Sequence, residues 1–384
     1  MTSGSDLFDR LRPVRRPGRW GRALGPVAIA TVVVLAGLGI YGYVSSTLGG
    51  TTLVIYTYPS LLGGASCGGS SAFSSVFGDF ASAHHVRVVV ECPAGTLVNT
   101  LLEQSDAPAA DLVIGLDEIT TPQAEQHHLL VPYAPPELAD VPSALIPELS
   151  PDLAAVPYEY GYLSIDYSSA FFNETGGAVA SATLPDLVNN TSWADQLVVE
   201  DPTVDITGEE FLVWEIEYYE NVLHQDWTMF WKDPHAGLLH LAPDWGTAFG
   251  LFMDAPGQNQ MVVSYSTDPA YATYYGEAGA FNSTGSWWHG TQYAWKTIYG
   301  IGIVNGTRHL GLDQEFEEWF LSGAVQSQIP TTEWEYPANE TVALPPSFSS
   351  AIPPSSIVAL NDETTPAAIA NSLPGWIDAW ISIS

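Results

Sequence analysis

The sequence predicts a discontinuous two-lobe α/β fold with a ligand cleft between the lobes. Three observations carry that prediction. At 384 residues the chain exceeds one ordinary core and suggests two units of about 100–200 residues each. From residue 53 onward, short apolar strands alternate with stretches of helical spacing, the pattern of βα units. Two Tyr-rich apolar strands, near 156–167 and 261–267, stand where the chain would cross between lobes. Lobe 1 is expected over 53–157 plus 268–384, its C-terminal part packing on either lobe, and lobe 2 over 158–267.

The elements follow in order. Residues 53–58 (LVIYTY) read as a buried first strand, and 72–84 carry helical spacing at Phe73, Val76, Phe77 and Phe80. A second strand at 86–90, a helix at 97–104 and a third strand at 111–116 (DLVIGL) continue the alternation, which predicts a parallel, doubly wound sheet. After a helix at 123–128 and a proline-rich connection, 156–167 form a long strand leaving the first lobe. The second lobe holds a short helix at 184–189, a strand at 197–200, and helices at 209–219, 227–231 and 245–253. Residues 261–267 return as a strand that breaks at Asp268-Pro269 into a polar loop reaching His289. A strand at 293–303 with an irregularity, a helix at 313–323, an ordered loop at 328–337 and a Trp-rich closing helix at 367–383 complete the chain.

Charge narrows the function. Six of the ten basic residues are Arg10, Arg12, Arg15, Arg16, Arg19 and Arg22, in a head that also holds Asp6 and Asp9. The remainder sets 4 basic residues against 41 acidic ones, so it carries −37 of the net −33 and the head carries +4. Such a body repels phosphate backbones, which excludes nucleic acid as a partner. A halophilic or acid-tolerant surface and attraction of a cationic solute both fit the charge. Residues 23–44 are uncharged and long enough to cross a bilayer, and arginines on their N-terminal side alone place head 1–22 in the cytoplasm. The span is long for a signal peptide and no small-residue cleavage site follows it, so a single-pass membrane anchor is expected, joined by linker 45–52 to an extracytoplasmic body. The two cysteines, Cys67 and Cys92, suit a disulfide in that compartment. Six Asn-x-Ser/Thr sequons, at Asn173, Asn189, Asn190, Asn282, Asn305 and Asn339, suit a glycoprotein.

Catalytic signatures are not evident. No Walker loop and no HExxH helix occur, the His84-His85 and His127-His128 pairs diverge too far to chelate one ion, and no carboxylate pair stands out. An enzyme and a resident cofactor are not expected. The strand ends instead supply aromatics and small hydrogen-bonding groups: Tyr56, Tyr58, Gly95, Thr96, Asp117, Tyr160, Tyr162, Asp205, Trp245, Tyr265, Tyr271 and Trp334. Each alone suits core packing, but together they suit a flat, cationic organic ligand stacked between rings.

Several stretches together resemble the periplasmic thiamine-binding proteins of ABC transporters. They are YTY at 56–58, DLVIGLD at 111–117, VPYEYGY at 156–162, EDP at 200–202, DWGTAFGLF at 244–252, SYSTDPAY at 264–271, IPTTEWEYP at 329–337 and WIDAW at 376–380. The resemblance implies a type II periplasmic-binding-protein fold closing over thiamine or its phosphates and a permease as partner. It places Tyr58, Trp245, Tyr265, Tyr271 and Trp334 on the pocket, with Gly95, Thr96 and Asp205 facing the phosphate or hydroxyethyl end. The chain departs from the family pattern at Pro59, at Ala94, in the missing Trp of 61–71, and at Asp205, where a small hydroxyl residue is usual. A carboxylate there repels phosphate, so free thiamine is expected over its esters. A Cys67–Cys92 bridge would order the loop in place of the missing Trp. The same fold leaves open a ferric-ion binder using Tyr271, Tyr274 and Tyr275, and sequons with charge leave open a surface-layer protein.

Overall fold

A computed structural model describes residues 50–63, 76–93, 95–254 and 257–384. The basic head 1–22, the apolar span 23–44, most of the linker and Cys67 lie outside the described residues. Among the described residues, no helix is long and apolar enough to cross a membrane.

Strand β1 (Thr52–Tyr56) pairs in parallel with β2 (Arg87–Glu91) and β3 (Leu112–Leu116). Helices α1 (Gly78–His84) and α2 (Leu97–Glu103) lie between them in the chain. The long strand β4 (Val156–Ser168) follows, then β5 (Leu197–Glu200), α3 (Ile206–Glu217), β6 (His240–Ala242), α4 (Trp245–Asp254) and β7 (Met261–Tyr265). The chain continues through α5 (Asp268–Tyr274), β8 (Phe281–Thr284), β9 (Lys296–Val304), α6 (Leu310–Leu321), β10 (Tyr336–Pro337) and α7 (Pro366–Ile383).

These strands form one mixed sheet in the order β2-β1-β3-β9-β4-β7-β5-β6. The expected wholly parallel sheet holds only at the two ends. In the middle, β9 runs antiparallel to β3 and β4, and β4 antiparallel to β7. The reason is directional: a strand leaving the first core and a strand coming back to it must point opposite ways. Strand β4 serves both cores, pairing through 156–162 with β9 and through 163–167 with β7. Its burial is nearly continuous, as is that of β9, which fits strands covered on both faces. The irregularity in β9 falls at Gly300, where an added Cβ would stand 2.7 Å from Leu149.

Residues 268–289, read from sequence as a polar loop, are ordered instead. Asp268-Pro269 starts α5, because proline in the first helical turn lacks only an amide the helix cannot use. Strand β8 then pairs with 165–168 of β4, so the chain stays beside the second core until β9. Helix α7 also packs there: Ile369, Leu373 and Trp380 are buried in the same cluster as Trp214, and Trp380 meets Trp231 edge-on at 5.5 Å. The first core is aromatic, with Phe316 contacting the rings of Phe77, Phe80, Trp319 and Phe320. Asn339 differs from the other five sequon asparagines, which are exposed: it is 3% exposed and donates to the Leu321 carbonyl.

Phe316→Ala is expected to lower stability by about 3–5 kcal/mol, since it opens a void among four rings. A urea midpoint within about 0.5 kcal/mol of the parent would show that this cluster is not a core.

Candidate functional site

The carboxyl ends of β1, β3, β5 and β7 point into one seam between the two cores, crossed by β4 and β9. Each end is shaped locally. After β1, the Tyr58 ring lies against Gly115, where any Cβ would stand 2.4 Å from the ring, and Gly115 has a φ of +103° that suits glycine alone. The Tyr58 hydroxyl meets the Tyr158 hydroxyl at 2.8 Å, Glu159 Oε1 at 3.2 Å and Glu333 Oε2 at 3.0 Å. After β3, Asp117 accepts from the amides of Ile119 and Thr120, and Glu118 accepts from the Ile298 amide of β9 at 2.8 Å. After β5, Asp205 caps α3 by accepting from the amides of Thr207 and Gly208 at 3.0 and 3.3 Å. Gly208 is required there, since a side chain would strike the Asp201-Pro202 backbone at 2.8 Å.

After β7, Tyr265 donates or accepts at Thr207 Oγ1 (3.1 Å) and at the Tyr299 hydroxyl (3.0 Å), and Tyr299 reaches Glu210 Oε1 at 3.5 Å. Trp245, opening α4, donates from Nε1 to Ser264 Oγ at 2.9 Å, and Ser264 in turn donates to Asp268. The Trp245 and Tyr265 rings lie 6.2 Å apart, as do those of Tyr58 and Tyr299.

A second group of rings surrounds Trp334. Tyr271, Tyr274 and Tyr275 approach it at 5.1, 5.2 and 5.8 Å, with Tyr274 and Tyr275 largely exposed. Trp334 has a φ of +63°, a strained conformation for a bulky residue and one that recurs at functional sites. Its neighbours join the two ring groups. Glu333 bonds Tyr58, and the Glu335 carboxylate lies flat on Gly161 of β4, where a Cβ would stand 2.0 Å from Oε2.

Five residues expected at the pocket therefore assemble as two connected sets, Tyr58–Trp245–Tyr265 and Tyr271–Trp334. Asp205 joins the first through Thr207. Gly95 is exposed at a φ of +91° and Thr96 caps α2 through the Asn99 amide. The next residue, Leu97, comes near Gly115, its Cδ1 3.7 Å from where a Cβ would stand there.

Sequence reasoning missed the carboxylates. Glu159, Glu210 and Glu335 are buried, and each has one oxygen, Oε2, with no hydrogen-bond partner. Burial first, and neighbouring acids second, push all three well above the usual carboxylate range: Glu333 acts on Glu159, Glu118 on Glu210, and Glu159 on Glu335. Glu209 is raised to about 8 by burial and by Asp117, and Asp268 to about 6 by burial. Among the described residues, no lysine or arginine offsets them. Among the described residues the buried base is Lys296, whose ammonium faces Glu148 at 2.8 Å. For Glu159 and Glu335 the only sequence signal was position beside a site aromatic, in 158–160 (YEY) and 333–335 (EWE); Glu210, between Glu209 and Phe211, had none.

Solved structures of periplasmic binding proteins share the chain's fold. A periplasmic thiamin binding protein superimposes with a TM-score of 0.70, at 23% identity, over 87% of this chain and 97% of its own. A ferric binding protein from Campylobacter jejuni gives 0.66 at 16% identity, over 86% and 99%. More particularly, the chain resembles the curated thiamine-binding periplasmic proteins; that of Brucella suis is 25% identical over 332 residues, 86% of this chain and 91% of the relative. No protein-family model matches.

The raised carboxyls set the pH dependence of stability. A carboxyl whose folded pKa is raised stabilises fully below its unfolded value and loses that contribution as pH climbs through the folded value. For Glu209 that window runs from about 4.5 to about 8. The ligand-free protein is expected to melt at higher temperature near pH 5 than near pH 8, with Glu209→Gln flattening the slope. A melting temperature that rises across this window would contradict the assignment.

Proposed function

We propose that this chain is the extracytoplasmic solute-binding protein of an ABC transporter, that it binds free thiamine, and that it delivers the ligand to a permease without catalysing a reaction. The observation that carries this reading is the seam itself: aromatic rings interleaved with buried carboxyls that have no basic counterpart. A flat cation with a permanent charge, such as thiamine's thiazolium, supplies what that seam lacks, and its pyrimidine suits stacking on Tyr271 and Trp334. The names of the curated relatives support the same ligand.

Free thiamine is proposed over its phosphates because Asp205 occupies the N-terminus of α3, the place where a phosphate would otherwise find amides. The ferric alternative through Tyr271, Tyr274 and Tyr275 has less support. The Tyr271 and Tyr274 rings pack edge-on against Trp334 and the Tyr275 ring is tilted to it, and burial first, then Tyr275 and Asp268, raise the Tyr271 phenol to about 12, which disfavours a phenolate. We further propose attachment through 23–44, a second lobe that runs past the expected boundary at 267 to include β8 and α7, glycans on exposed sequons but not on Asn339, and a Cys67–Cys92 bridge. Support for the bridge is that Cys92 is disulfide-bonded and no described cysteine is free.

In a thermal-shift assay of the full-length chain, thiamine at about 100 times its Kd should add about 2.7 kcal/mol, a rise of several degrees. Fe(III) should add little and develop no visible tyrosinate colour. In calorimetry, thiamine phosphate should bind at least about tenfold more weakly than thiamine, and Trp245→Ala should weaken thiamine by about tenfold. Equal or tighter binding of the phosphate ester sinks the preference.

A further inference from the structure

We infer that the ligand-free protein holds protons on Glu159, Glu210 and Glu335, and that the cationic ligand binds by displacing at least one of them into solvent. This rests on the thiamine reading and concerns how the same site takes its charge.

The three carboxyls arrive from three different elements. Glu159 lies in β4 before Gly161, Glu335 precedes β10 and covers Gly161, and Glu210 projects from the first turns of α3. They are 2%, 5% and 0% exposed, and each retains an unpartnered Oε2. The set is no metal site: among the described residues, no group of three His, Cys, Asp or Glu is arranged to hold an ion.

The titratable groups facing the three are acids and phenols throughout. Glu333, Tyr58 and Tyr158 act on Glu159; Glu159, Asp268 and Glu333 act on Glu335; Glu118, Asp117, Asp205 and Glu335 act on Glu210, whose Oε1 also meets Tyr299. An anionic form of all three at once would leave several uncompensated charges in a buried seam, which a folded protein avoids by retaining protons. A ligand that brings a permanent positive charge reverses that preference. The exchange balances: a protonated carboxyl and a free cation become a carboxylate–cation pair, and one proton passes to the buffer.

The distinguishing measurement is calorimetric titration of the full-length chain with thiamine in phosphate and in Tris buffer, between about pH 6 and pH 8. That range lies above the titration of thiamine's own aminopyrimidine. The expected result is an enthalpy that differs between the two buffers by roughly 0.5–1 released proton, with affinity rising up to about tenfold per pH unit. Glu335→Gln and, independently, Glu210→Gln should each bind more weakly at the upper end and lose part of the slope. Identical enthalpies in the two buffers with a flat affinity profile overturn the inference while leaving thiamine as the ligand. Absence of thiamine binding at every pH overturns the functional reading and the inference with it. If either variant fails to fold, the two-buffer comparison on the parent protein decides alone.

Discussion

Burying carboxyl groups with no cation opposite them is among the least favourable arrangements available to a folded chain, and this protein does so along a single seam. Glu159, Glu210 and Glu335 lie there beside Asp117, Glu118 and Asp205, and the buried ammonium of Lys296 is engaged elsewhere by Glu148. Such a seam survives only if the cores on either side are strong enough to hold it and if something returns the free energy when the protein acts. The aromatic clusters around Phe316 and Trp214 answer the first condition. Under the proposed function, a cationic ligand answers the second.

The backbone places the seam where strain from charge is least able to disperse. Strand β4 runs through both cores, giving its first half to β9 and its second half to β7. Glu159 and Gly161 therefore sit at the changeover between two sets of partners. Glycine at 161 leaves room for the Glu335 carboxylate, and glycine at 115 leaves room for the Tyr58 ring. These two absences of a side chain let a carboxylate and a phenol approach the sheet closely. The left-handed backbone at Trp334 then sends Glu333 and Glu335 to different partners while its own ring faces Tyr271.

Much of this architecture is legible from pattern alone. The strands at 53–58, 111–116 and 156–167 are apolar runs of the right length, and each is found within two residues at either end. The stretch after Tyr265 was not legible as helix, because Asp-Pro followed by tyrosines and glycines has the composition of a loop. What favours the helix is burial of one face: Ala270 clusters with Tyr336 and Phe348, and Ala272 with Phe249, Phe252 and Phe281. Aromatics at strand ends, such as Tyr58 and Tyr265, could be picked out from sequence because they close apolar runs. The glutamates could not, since 43 acidic residues offer no local mark of which are buried.

The sequence by itself determined an α/β alternation of short strands and helices, the acidic balance and the aromatic character of the strand ends, because each follows from composition or from periodicity along the chain. Only the tertiary structure decided the antiparallel middle of the sheet, the pairing of Trp334 with Tyr271, and the meeting of Glu159, Glu210 and Glu335. Those three are separated by 51 and 125 residues in the chain, and a carboxyl group's pKa depends on what surrounds it in space, which spacing along the chain does not encode.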